Sequence, residues 1–207
     1  MTFWGTDLGG STTTEPKRRY KFIVEFGTAG RLLATKSIQK PTATFQNKEY
    51  RMINHYFNYP GLVQWDAIEL SLVDFDYFGA SGKNKDLGYS SNNTGSRLWN
   101  MLLASGYSTP SGKINRAANS DGLSSPSKQL MSNAFGEIII YQIDSGGLNE
   151  TGKQTVKYLE KWTLKNPIIE KISWGELSYS DEELVQCDMT IKFDWPEYEQ
   201  GPKILKL

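Results

Sequence analysis

The chain has 207 residues, enough for one sizeable core and a large insertion but tight for a second full domain. Lys plus Arg equals Asp plus Glu at 23 each, so no net field draws the chain to nucleic acid or to an acidic membrane. A single cysteine excludes an internal disulfide, and no apolar run has signal-peptide or membrane-spanning length, so the expectation is a protein made and kept in the cytosol without a membrane anchor.

Residues 1–19 are rich in Thr, Gly and Ser and read as a flexible N-terminal arm. Its closing trio, Lys17, Arg18 and Arg19, suits a solvated strand entrance better than a phosphate site. Tyr20, Phe22, Val24 and Phe26 alternate with Lys21, Ile23 and Glu25 and predict the first strand; Thr28 to Gly30 turns the chain into a second near Leu32 to Ile38. Pro41 to Tyr59 has no helical period and is followed by Pro60-Gly61, which predicts an extended arm or long hairpin projecting from the core. Tyr50, Met52, Tyr56, Phe57 and Tyr59 give that projection a large apolar surface, and exposed patches of this kind mark interfaces. Trp65 to Asp74 returns to strand alternation, with Ile68, Leu70 and Leu72 on one face.

From Gly79 to Asn133 the composition shifts to Gly, Ser and Asn, a long loop insertion of the functional or disordered kind. One short helix is predicted inside it. Thr94 or Ser96 caps it, Leu98, Met101 and Leu102 form its apolar stripe, and Gly106 stops it. Glu137 to Ile143 is nearly apolar throughout, as in a strand covered on both faces, and Ser145 to Gly147 turns the chain again.

Residues 155–195 are the most clearly patterned part. Val156 to Leu164 places Val156, Tyr158, Trp162 and Leu164 on one face, and Ile168 to Trp174 does so with Ile168, Ile172 and Trp174. In Leu184 to Trp195 the inward set is Val185, Cys187, Met189, Ile191, Phe193 and Trp195. Gln186, Asp188, Thr190, Lys192 and Asp194 form its wet face. Cys187 is thereby a core thiol and not a nucleophile. A C-terminal tail, 197–207, follows Pro196. The expected fold is mainly β: a two-sheet antiparallel barrel or sandwich over 20–196, with one short flanking helix and a long Gly/Ser-rich loop, 79–133.

The constellations of catalysis are missing from the pattern. His55, the only histidine, lies in the aromatic arm without Glu or Cys at ligand spacing. Gly27-Thr28-Ala29-Gly30 follows a strand but lacks the phosphate-loop lysine and leads to another strand. Asp74 and Asp76 flank Phe75, but an all-protein cation site wants more oxygen ligands. Asp181-Glu182-Glu183 is either a charged turn or a contact for a basic surface on a neighbouring subunit. No catalytic residue, cofactor or metal ligand is expected.

The run from Trp162 through Asn166-Pro167, Ile168 to Trp174, Gly175-Glu176-Leu177-Ser178-Tyr179 and Glu183-Leu184-Val185, closing on Phe193-Asp194-Trp195, resembles the tail tube protein of contractile-tailed bacteriophages. Tyr20 to Phe26 and Trp65 to Leu72 fit the same pattern, whereas 79–133 is longer and richer in Gly and Ser than in short family members. The resemblance implies a structural protein, six protomers per ring and rings stacked into a hollow tube, part of the virion tail and made in the host bacterial cytoplasm. It also implies partners: other copies of the chain, the sheath protein, the baseplate or tube initiator, the tape measure protein, and genomic DNA passing through the lumen without specific binding. On this reading Tyr50, Met52, Tyr56, Phe57 and Tyr59 are candidate contacts between subunits or rings. Gln186, Asp188, Thr190 and Lys192 face the lumen or the sheath, and an inward Lys192 calls for a carboxylate partner. The alternatives are a paralogous baseplate tube initiator, or the inner tube of a contractile injection or type VI secretion system.

Overall fold

The computed structural model describes residues 17–27, 30–31, 35–74, 94–107, 125–144, 147–148, 154–180 and 182–204. Residues 1–16 of the expected arm, Asp76, Asp181 and much of 79–133 lie outside that set. In chain order the elements begin with β1 (Phe22–Phe26), β2 (Gly30–Arg31), β3 (Thr35–Ile38), β4 (Ala43–Phe45), β5 (Lys48–Met52), β6 (His55–Tyr59), β7 (Val63–Trp65) and β8 (Ile68–Val73). Two helices follow, α1 (Thr94–Ala104) and α2 (Lys128–Phe135). The chain then forms β9 (Ile138–Ile143), β10 (Gly147–Leu148), β11 (Gln154–Thr155), β12 (Lys157–Lys165), β13 (Ile168–Ser173), β14 (Gln186–Lys192) and β15 (Trp195–Ile204).

Two antiparallel sheets face each other. One has the order β15-β12-β9-β1-β2 and the other β13-β14-β8-β3; β4 with β7, β5 with β6 and β10 with β11 make small two-stranded sheets. The core between them takes Val24, Phe26, Ile138, Ile140 and Leu164 from the first and Ile68, Leu70, Leu72, Cys187, Met189 and Ile191 from the second. Strict period-2 alternation puts these residues on one face of each strand, and burying each large apolar side chain contributes about 2 kcal/mol. β9 is apolar on both faces for the reason expected. Its Ile138 and Ile140 enter this core, while Ile139 and Tyr141 join Tyr158, Ile23 and Val156 in a second cluster on the far face.

The structure departs from the sequence pattern where sheet geometry intervenes. Among the described residues there are two helices where one was expected. In α2, Ser127 accepts the Leu130 N–H on its side chain, Gly136 closes the far end at φ 64°, and Phe135 packs edge-on to Phe26 with ring centroids 6.1 Å apart. Ser-Pro-Ser composition hid this helix, although a capping Ser and a terminal Gly were both present. The expected tail is also a strand. β15 pairs along β12 and forms the edge of the first sheet. It starts where the chain leaves β14, with the Asp194 N–H donating to the Lys165 carbonyl at 3.0 Å. Trp195 consequently lies opposite Lys165 in the other sheet and is 48% exposed; it does not join Phe193 in the core.

Two bulges reset side-chain parity. Register shifts between Tyr158 and Glu160 turn Val156 and Tyr158 to the face opposite Trp162 and Leu164, so these four do not share a face. A second shift, between Ile169 and Lys171, sends Ile169 with Ile172 to the core, while Trp174 ends 40% exposed.

Candidate functional site

The aromatic projection is a hairpin. β5 pairs β6 from Lys48 opposite Tyr59 to Met52 opposite His55, and β4 with β7 forms its stem. Every residue of both arms is exposed, including Tyr50, Met52, Tyr56, Phe57 and Tyr59. Among the described residues no second layer covers either arm. Arg51 lies 5.6 Å from the ring centroid of Tyr56, its partner across the two arms, a cation–π contact. At the tip, Ile53 is 81% exposed and has φ 52°. A β-branched residue at positive φ is strained, and the two-residue turn between the paired Met52 and His55 imposes that conformation.

The wet face of β14 is where the alternation put it: Asp188 and Lys192 are exposed, Gln186 and Thr190 half-buried, and Cys187, Met189 and Ile191 point inward. Ser71 Oγ donates to Asp188 Oδ1 at 2.6 Å, and Lys192 Nζ donates to Glu170 Oε1 at 2.7 Å, so the lysine has a carboxylate partner. Glu69, Lys171 and Thr190 complete a shallow polar depression of about 350 Å³ on this face. Both charge signs are interleaved, leaving no basic stripe to hold phosphates.

Asp194, assigned to the wet face, does other work. Its carboxylate accepts from Lys128 Nζ at 2.7 Å and from Asn166 Nδ2 at 2.9 Å, which lowers its pKa and ties the start of α2 to the turn before β13. Asp74, weighed above with Asp76 as a cation pair, accepts the Gly95 N–H on Oδ1 at 3.1 Å, so this carboxylate meets the N-terminal turn of α1. Among the described residues no group of three or more His, Cys, Asp or Glu side chains is placed to hold a metal ion.

Sequence reasoning missed two features. Glu160 is buried in β12 and accepts from Lys17 and from Lys40, the latter at 3.1 Å, with Trp162 Nε1 donating at 3.2 Å. Burial raises its pKa, but the three donors outweigh burial and hold it at about 2. The chain segments before β1 and before the hairpin stem are thereby fastened to one carboxylate. No local pattern marks that cluster, because Lys17 and Lys40 are 143 and 120 residues from Glu160.

The second feature is a groove of about 540 Å³ between the β13–β14 connection and the start of β14, lined by Glu176, Leu177, Tyr179, Glu183 and Leu184 among others. Leu177, Tyr179 and Leu184 are largely exposed, and the described residues of 174–191 include no Lys or Arg. Beside it Trp174 meets Trp99 edge-on, with centroids 5.9 Å apart. The signal available in sequence was the acidic run at 181–183.

No protein-family model matches the sequence, and none of the curated proteins does either. The fold has matches among solved structures. A chain of the anti-feeding prophage cap, described as the tube-terminating cap, superposes with a TM-score of 0.53 at 18% identity over 97% of this chain and 100% of that one. A chain of the PVC sheath–tube complex, an extracellular contractile injection system in its extended state, gives 0.51 at 15% identity over 92% and 100%. A chain of the 6-fold symmetrised anti-feeding prophage baseplate gives 0.51 at 12% over 91% and 98%. At these identities the likeness is one of fold: this chain has the two-sheet fold found in components of contractile injection systems.

Proposed function

We propose that this chain is a structural tube subunit of a phage tail or of a related contractile injection apparatus. Six copies close a ring, rings stack into a hollow tube, and the tube conducts its cargo, the genome in a phage, and is driven through the target envelope when the sheath contracts. The observation that carries the reading is the four-stranded sheet, whose outer strands β13 and β3 have no further strand partner among the described residues, in a fold shared over nearly the whole chain with components of such assemblies. Open edges invite pairing with another chain, and edge-to-edge closure around a ring removes them. The exposed aromatic hairpin adds a contact surface that an isolated protomer leaves wet. The mixed-sign outer face of β14 suits a bore wall, which must not retard a polyanion.

A second reading is a cap or initiator of the same fold, favoured by the coverage of the tube-terminating cap, 97% of this chain and 100% of that one. Sheath, baseplate and tape measure proteins are the partners the first reading requires; a cap needs only a tube end. Negative-stain electron microscopy with light scattering on the purified chain separates them. Stacked rings with a central hole establish the tube subunit, single rings that do not stack favour the cap, and a monomer at high concentration rejects self-assembly.

A further inference from the structure

The connection between β13 and β14 runs on past the point where its strands stop pairing. Their last pair is Ser173 with Asp188. Just beyond it the two arms still approach closely: Gly175 has φ 85°, and a Cβ there would stand 2.6 Å from the Gln186 carbonyl oxygen. Further out, Glu176, Leu177, Glu183 and Leu184 make no hydrogen bond to another described residue. The groove of about 540 Å³ lies between these unpaired arms, and Leu177, Tyr179 and Leu184 stand largely exposed around it.

Its charges are unbalanced in a way the rest of the surface is not. Glu137, Glu160, Glu170, Asp194, Glu197 and Glu199 each meet a lysine. Glu176, Glu182 and Glu183 meet none among the described residues. Like charges gathered beside apolar side chains repel one another, and an incoming cation relieves that repulsion. The exposed Trp174 and Trp99 rings, edge-on to each other, continue the apolar wall next to Gly175 and offer ring faces to a guanidinium or ammonium group.

We propose that the 174–186 groove binds a short extended segment of a different polypeptide, one in which Lys or Arg alternates with large apolar residues. An extended chain turns successive side chains to opposite sides, so its apolar set lies on Leu177, Tyr179 and Leu184 while its basic set reaches the three glutamates. Its main chain supplies hydrogen bonds to the unpaired groups of the two arms, as in strand addition. A volume of about 540 Å³ holds a few side chains of such a segment. The carboxylates decide against a nucleic acid, whose phosphates they repel. Within this chain lysine alternates with apolar residues in β12, which is already paired on both sides, so the occupant comes from another polypeptide. The site stands apart from ring closure and stacking and holds whether or not the tube reading does.

Fluorescence anisotropy of a fluorescein-labelled peptide of alternating lysine and leucine, titrated with the full-length chain, tests this. The wild type binds it, and binding weakens with added salt. Glu183→Lys weakens binding by about tenfold or more, whereas Glu49→Lys, the same change in net charge on the exposed hairpin, leaves it unchanged. Leu177→Ser/Tyr179→Ser weakens it as well, and a peptide of alternating lysine and serine binds about tenfold less tightly. Circular dichroism checks that each variant folds. A wild type that does not bind, a Glu49→Lys variant as impaired as Glu183→Lys, or a lysine–serine peptide that binds equally well overturns the proposal. So does peptide binding that disappears as the chain self-assembles, read by light scattering on the same sample, because a second copy then fills the groove. None of these outcomes bears on the tube reading, which electron microscopy decides.

Discussion

Tyr158 and Trp162 are four residues apart on one strand and lie on opposite faces of the sheet. Tyr158 packs edge-on to Tyr141 on the far face, ring centroids 5.4 Å apart, while Trp162 lies tilted against Tyr198, centroids 4.7 Å apart, on the face that carries the main core. The reversal comes from the shift at Leu159, which has no paired residue on β9 or β15: Tyr158 pairs Lys203 and Glu160 pairs Gln200 on β15. Gly201 is required there, since a Cβ would stand 2.0 Å from the Tyr158 carbonyl oxygen. Gly201→Ala should therefore destabilise the fold by about 2 kcal/mol or more, because main chain must move. Chemical denaturation measures it, and an unchanged midpoint would show that the bulge tolerates a side chain.

Glu160 predicts an acid dependence. Its folded pKa of about 2 is below its ordinary 4.5, so the stability it contributes is present above 4.5 and lost as pH falls through that window. With its lysines half-exposed, the contribution is on the order of 2 kcal/mol. Glu160→Gln should lower stability at pH 7 and flatten the pH dependence between about 4.5 and 2. Urea titrations at pH 7, 4.5 and 3 read both effects; parallel curves for the two proteins would exclude the cluster as an acid-sensitive fastening.

Cys187 is fully buried, and burial, then the Asp74 and Asp188 carboxylates, raise its thiol pKa. In the folded chain it should resist alkylation at pH 8 and label at the rate of unfolding. Cys187→Ser puts a hydroxyl into an apolar core at a cost of about 1–3 kcal/mol. Rapid labelling without denaturant would mean that β14 opens locally.

The hairpin contributes no residue to either buried cluster. Replacing residues 49–58 by Asn-Gly, a two-residue turn joining the paired Lys48 and Tyr59, should change stability by no more than about 0.5 kcal/mol and abolish assembly. Calorimetry and light scattering on the same sample decide it. An unfolded product would place the segment in the core, and undiminished assembly would remove it from the interface.

Sequence by itself determined the strands whose alternation is uninterrupted, β1, β8 and β14, together with the double-sided burial of β9 and the projection of an aromatic hairpin. It did so because period-2 burial is a local property, written residue by residue. It also set which residues of β14 turn inward, though not what lies opposite the other face. What only the tertiary structure decided depends on neighbours distant in sequence. Leu159 bulges because β9 and β15 flank it, Trp195 leaves the core because β15 finds an open edge on β12, and Glu160 is held by lysines more than a hundred residues away.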